Sequence, residues 1–176
     1  MGIKADFQEA ERVMARLRPD EKARLRRICM EIQEAQVALL AHSGPAMERC
    51  IKICQGLCCR NIQLNAVIGV WDLVYILTVA GEYRDRMAAC LENEIPFYAA
   101  DCIFLEKGTG PCILPSTARA EVCLTTFCSR VEDIQKEIGR VKRKFYKLGW
   151  FLYTRKPRLI LDGLRRMLGV KASGRS

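Results

Sequence analysis

Residues 49–60 read Arg49-Cys50-Ile51-Lys52-Ile53-Cys54-Gln55-Gly56-Leu57-Cys58-Cys59-Arg60. Four thiols stand within ten residues, beside a glycine and off any apolar stripe. A second group, Cys102, Cys112, Cys123 and Cys128, is spread along a stretch with several glycines and prolines. A tetrahedral thiolate site needs sulfurs about 3.5–4 Å apart, because metal–sulfur bonds are near 2.3 Å. Closely spaced cysteines on a tight turn supply two or three such ligands at small loop-closure cost, and Gly56 allows the sharp backbone course of such a turn. A distant segment then completes the set. The adjacent pair Cys58-Cys59 suits two sites or neighbouring irons better than one ion. Eight thiols suffice for two four-cysteine sites, or for one cluster with thiols to spare; zinc and iron–sulfur clusters both accept four cysteines.

The rest of the composition narrows the chemistry. The chain has 176 residues, half of them apolar, which is enough for one domain with a continuous core. Ten cysteines accompany a single histidine, His42. A metal site here is therefore sulfur-rich, and the catalytic zinc arrangements built on two or three histidines are excluded. The first residues lack the apolar core of a signal peptide, and position 6 is Asp where a myristoylation signal has Ser or Thr. The longest apolar stretch, Ala66 to Ala80, is interrupted by Asp72 and is shorter than the roughly 20 residues a membrane span needs. These features predict a cytoplasmic protein whose thiols are kept reduced for metal or redox chemistry.

Working outward, the pattern predicts a mostly α fold: a small helical domain around an irregular cysteine-rich metal-binding core, with helical N- and C-terminal arms. The N-terminal arm is 1–44, the cysteine-cluster domain 45–128 and the basic C-terminal arm 129–176, in one globular unit. Pro19 suits a first helical turn. Leu25, Ile28, Cys29, Ile32, Ala35, Leu39 and Leu40 then recur at helical spacing up to the stop Ser43-Gly44-Pro45. Cys29 falls on that apolar face and reads as a core thiol. A helix is expected over 65–79 with Gly81 as its stop, and a short one over 82–91, where Cys90 reads as packing. Residues 100–117 read as a loop or short hairpin pinned by Cys102 and Cys112. Val131, Ile134, Ile138, Val141, Phe145 and Leu148 mark the stripe of the last long helix, with Gly149 and Pro157 as breakers and a short helix over 158–168.

The run Cys54-Gln55-Gly56-Leu57-Cys58-Cys59, then Asp72, Cys102-Ile103-Phe104-Leu105, Cys112-Ile113-Leu114 and Ala118-Arg119-Ala120-Glu121-Val122-Cys123 closing with Cys128, resembles the YkgJ-type cysteine-cluster family. That family is described as a zinc- or iron-chelating domain, and a related pattern accompanies certain protein lysine N-methylases, where an iron–sulfur cluster is implied. The resemblance covers about Cys50 to Cys128. It implies Cys54, Cys58, Cys59, Cys102, Cys112, Cys123 and Cys128 as metal ligands. Cys50 is added at a looser spacing, since three residues separate Cys50, Cys54 and Cys58 where the family has shorter gaps. Arg119-Ala120 stands where the family has Arg-Pro.

Arg60 and Arg119 border these cysteines, where a guanidinium offsets thiolate charge. Asp72, among apolar neighbours, is expected to anchor the cysteine segment by accepting backbone hydrogen bonds. The net charge of +9 is carried entirely by residues 129–176, with 14 Lys/Arg against four Asp/Glu. Basic residues there alternate with Phe145, Tyr146, Trp150, Phe151 and Tyr153. A protein partner is expected on this arm ahead of a membrane surface or nucleic acid. No catalytic motif and no small-molecule substrate can be read. The expected function is metal binding, as an iron–sulfur cluster (four-iron–four-sulfur preferred) or zinc, in an accessory or electron-transfer protein. Its alternatives are a zinc-stabilised interaction module working through the basic arm and a cluster-dependent modifying enzyme.

Overall fold

The computed structural model describes residues 2–44, 59–60, 62–94, 100–108, 111–127 and 132–155. Among these the chain is mostly helical, with two isolated antiparallel bridges and no strand. Seven α-helices follow in order: α1 Ile3–Arg16, α2 Pro19–His42, α3 Leu64–Val67, α4 Val70–Val79, α5 Arg84–Leu91, α6 Glu121–Thr125 and α7 Gln135–Tyr153.

α4 organises the rest. Leu73, Val74, Tyr75, Ile76 and Leu77 are consecutive and all buried, and a helix apolar on every side is a core helix. α1 lays Ile3, Phe7 and Ala10 against it and against α5. α2 and α7 pack along each other and both touch α4. α2 contributes Leu25, Ile28, Cys29, Ile32, Ala35 and Leu39, and α7 contributes Ile138, Val141, Phe145, Leu148, Phe151 and Leu152. One continuous apolar cluster therefore runs from Ile3 to Leu152, drawing on the N-terminal, middle and C-terminal segments alike. The expected stripe of the last helix is buried from Ile134 to Leu148; Val131 and the short helix over 158–168 lie outside the described residues.

Two expected boundaries differ. The helix anticipated over 65–79 is divided into α3 and α4, because Ile68 and Gly69 are extended and the Asp72 carboxylate accepts the Gly69 N–H at 3.1 Å. That bond starts a fresh N-terminus three residues upstream, as capping carboxylates do. Nor does Gly149 break α7. It lies buried mid-helix because the Trp71 ring sits where a Cβ would be, 2.6 Å from that position.

Long-range polar contacts fix the helices. The Glu94 carboxylate accepts the Ile3 and Lys4 N–H groups at 2.6 and 3.0 Å, capping α1 from the far side of the chain. Glu21, buried at the start of α2, accepts the Arg18 N–H and pairs with Arg155 just past α7, whose guanidinium lies 3.8 Å from the Phe151 ring centre. Deep between α2 and α4, the Tyr75 hydroxyl donates toward Gln36 Oε1 (3.1 Å) and the Thr117 carbonyl (2.9 Å), while Gln36 Nε2 donates to the Arg119 carbonyl at 2.9 Å. Burial pushes the Tyr75 phenol well up from its usual range, so it acts as a donor throughout. Removing this hydroxyl strands Gln36 Oε1 and leaves Thr117 only the long bond from Gln33 Nε2, at 3.4 Å. Tyr75→Phe is expected to lower stability by about 1–3 kcal/mol in urea denaturation, the cost of buried polar groups left unpaired.

Glu31 on α2 bridges two cations of α7, Lys144 at 2.7 Å and Lys147 at 2.9 Å. Hydrogen bonds from Lys144 and then Lys147 hold its carboxyl down at about 2. A carboxylate whose pKa falls on folding stabilises the fold above its unfolded value and loses that contribution as the pH falls. The side chain is 27% exposed, so solvent screening limits the bridge to about 1 kcal/mol or less. Glu31→Gln is expected to cost that much at neutral pH, with the gap to the parent protein narrowing as the pH falls from about 4.5 to about 2; denaturation curves across that window check it.

Candidate metal centre

Three chain segments are folded against one another around the cysteines. Ile62 and Ala100 exchange backbone hydrogen bonds at 2.8 and 3.0 Å, and the Cys102 N–H donates to the Cys59 carbonyl at 2.7 Å. This sets Cys59 beside Cys102. Residues 104–106 and 111–113 pair as the two sides of a small hairpin, with Ile113 N–H donating to the Phe104 carbonyl at 2.8 Å and Glu106 N–H to the Pro111 carbonyl at 2.9 Å. The bridge Leu105–Cys112 belongs to this hairpin. The turn is possible because Lys107 and Gly108 take left-handed backbone angles, φ 54° and φ 77°, and glycine adopts these without strain. Of the loop or short hairpin expected over 100–117, the described residues form the hairpin, and it returns Cys112 toward Cys102.

The third segment is α6, which carries Cys123. Asp72 Oδ1 accepts the Glu121 N–H at 3.0 Å at the start of α6, while Oδ2 caps α4. One carboxylate therefore anchors two helix N-termini, the anchoring role its sequence context suggested. Burial pushes its carboxyl up, against the downward pull of the Glu121 and Gly69 amides.

The thiols of Cys59 and Cys112 lie within electrostatic reach of those of Cys102 and Cys123. Burial raises the Cys102 thiol to about 12 and leads the rise at Cys123 as well, with neighbouring thiols adding to both. Cys123 is exposed by surface area although protein crowds its thiol. Among the described residues no disulfide forms, and no three side chains of the ligand types stand at distances that hold one ion. Four of the expected ligands, Cys50, Cys54, Cys58 and Cys128, lie outside the described residues.

A further observation bears on whether the site suits a thiolate-bound metal. Among the described residues, the Nε atoms of Arg60 and Arg119 are buried without a hydrogen-bond partner. Arg60 follows Cys59 and Arg119 leads into α6. Orphaned buried donors are rare and call for an acceptor, and sulfurs bearing negative charge are one. The donor chemistry fits a metal–thiolate centre.

Cys90 joins the site's edge. Its thiol lies within electrostatic reach of Cys112, and burial raises its pKa. Its helix α5 is tied to the hairpin by Arg86–Glu106 at 3.0 Å. An isolated cysteine in a short helix gives no sequence signal of this, because the proximity arises only when the hairpin folds beside α5. Cys29 lies in the core between α2 and α4, fully buried and held at about 12, its thiol bonded to Thr78.

Comparison with known protein families, with curated proteins and with solved structures gives no match to the chain.

Asp72→Ala should remove both caps, lowering stability by about 1–2 kcal/mol and speeding alkylation of Cys123 as α6 loosens. Denaturation together with peptide-resolved labelling measures both effects.

Proposed function

We propose that this protein binds a metal centre, an iron–sulfur cluster or zinc, through clustered cysteine thiolates, and serves as an accessory or electron-transfer protein. The observation that carries the reading is the backbone pairing that sets Cys59 beside Cys102, through the Cys102 N–H to Cys59 carbonyl bond at 2.7 Å, with the Leu105–Cys112 bridge turning Cys112 back on the same segment. The orphaned guanidinium donors of Arg60 and Arg119 support it, as does the resemblance of the cysteine order to the YkgJ-type pattern. Cys50, Cys54, Cys58 and Cys128 complete the proposed donor set in sequence. Eight sulfurs without histidine suit soft or borderline metals.

The chain's own groups perform the rest. Thiols raised by burial lose their protons only in exchange for a cation, so metal uptake releases protons. Arg60 and Arg119 offset the charge of the thiolates, and the Asp72 anchor holds α6 in register with the hairpin. A bound cluster would supply one-electron transfer, and zinc a redox-silent staple.

Anaerobic purification followed by absorption spectroscopy and metal and sulfide analysis tests the reading. Stoichiometric iron with acid-labile sulfide, or stoichiometric zinc, is expected. Cys102→Ala and Cys112→Ala should each lower metal content to less than half, while Cys29→Ala leaves it unchanged. Metal-free protein with reduced thiols and an intact fold overturns the proposal.

A further inference from the structure

Beyond the cysteine site, the solvent face of α7 has no partner in the fold. Tyr146, Trp150 and Tyr153 recur at four- and three-residue steps, which places them on one stripe, and they are 73%, 69% and 62% exposed. Trp71 of α4 extends the patch where it lies over Gly149, itself 47% exposed. Such large aromatics are ordinarily covered, and grouped exposure marks an interaction surface. On either side of the stripe stand the exposed cations Arg140, Lys142, Arg143 and Lys147, of which Lys147 is shared with Glu31. From Arg140 to Tyr153 the helix carries no carboxylate.

We infer that this face docks the protein peripherally on an anionic lipid surface, with α7 lying in the plane of the interface. Three features favour lipid. Tyrosine and tryptophan have an apolar body and a polar tip, the combination that settles at the boundary between headgroups and acyl chains, and flanking lysines and arginines meet lipid phosphates. Trp150 and Tyr153 stack on each other, ring centres 6.2 Å apart and 29° between planes. One face of each ring is thereby taken, whereas binding a nucleic-acid strand needs rings open to its bases and a groove to follow its backbone; the outer side of a helix is convex. The sequence directly after α7 continues the same chemistry: residues 156–176 hold six Lys/Arg against a single Asp, with apolar runs such as Leu159-Ile160-Leu161. No helix among the described residues is long and apolar enough to cross a bilayer, consistent with attachment to its surface. The inference is independent of the metal centre.

The test is co-sedimentation of the full chain with vesicles of phosphatidylcholine alone or with about a third phosphatidylglycerol. Binding is expected to the anionic vesicles, about ten-fold or more weaker to the neutral ones, and to fall with added salt. Tyr146→Ser/Trp150→Ser/Tyr153→Ser should weaken it about ten-fold or more. Lys142→Gln/Arg143→Gln should weaken it about five-fold per cation removed. Circular dichroism checks that each variant keeps its helices, and should the aromatic variant lose them, the charge variant decides. Absence of vesicle binding overturns the inference. So does vesicle binding that folded variants retain in full, or binding to a single-stranded oligonucleotide in place of vesicles.

Discussion

The buried contact among Gln36, Tyr75 and the carbonyls of Thr117 and Arg119 is the constraint on which the architecture turns. α2 and α4 could pack through leucines and isoleucines alone. The 111–127 segment buries Ile113, Leu114, Ala120 and Leu124 in the shared core, but apolar contact is non-directional, and it is the main-chain oxygens of Thr117 and Arg119 that fix where the segment sits. A glutamine side chain has one acceptor and two donors, and a phenol one donor. Gln36 Nε2 serves the Arg119 carbonyl, and the single Tyr75 O–H is shared between the Thr117 carbonyl and Gln36 Oε1, in surroundings where an unpaired carbonyl is costly. The cysteine-bearing segment is thus fixed to a rigid pair of helices although it is itself mostly turns.

Asp72 continues the same logic one layer out. Its two oxygens serve Gly69 and Glu121, residues 52 apart, so the start of α4 and the start of α6 are set by one side chain. A break in an apolar helix at Gly69 costs little when the new N-terminus is capped at once. That break also turns Asp72 toward α6. Local helix punctuation and the placement of Cys123 have one cause.

Regular periodicity was the most legible part of the sequence. The faces of α2 and α7, Cys29 among them, follow three- and four-residue spacing, and that spacing is a direct record of burial. The helix division at Gly69 is hard to read because the apolar run from Ala66 to Ala80 masks a local signal, two β-branched residues and a glycine followed three residues later by the capping Asp72. Gly149 reads as a breaker until Trp71 is seen to occupy the space of the missing Cβ. At the cysteines, the glycines and prolines of 100–117 announced a loop or short hairpin, and the Leu105–Cys112 bridge is of the hairpin kind. The neighbourhood of Cys90 and Cys112 depends on how α5 meets the hairpin, which no local pattern encodes. The aromatic–basic alternation of the last helix was visible as composition, but which rings are buried, Phe145 and Phe151, and which face outward, Tyr146, Trp150 and Tyr153, follows from the packing of α7 on α2.

Cys29 gives the molecule an internal stopwatch. Its sulfur is sealed between α2 and α4, and its high pKa leaves almost no thiolate at neutral pH. An alkylating reagent therefore meets it only when those two helices separate, and its rate of modification counts excursions of the whole core, while the outer cysteines count local breathing. A single chain thus carries thiols of one residue type at different depths, those near the surface reporting local motion and Cys29 the opening of the core.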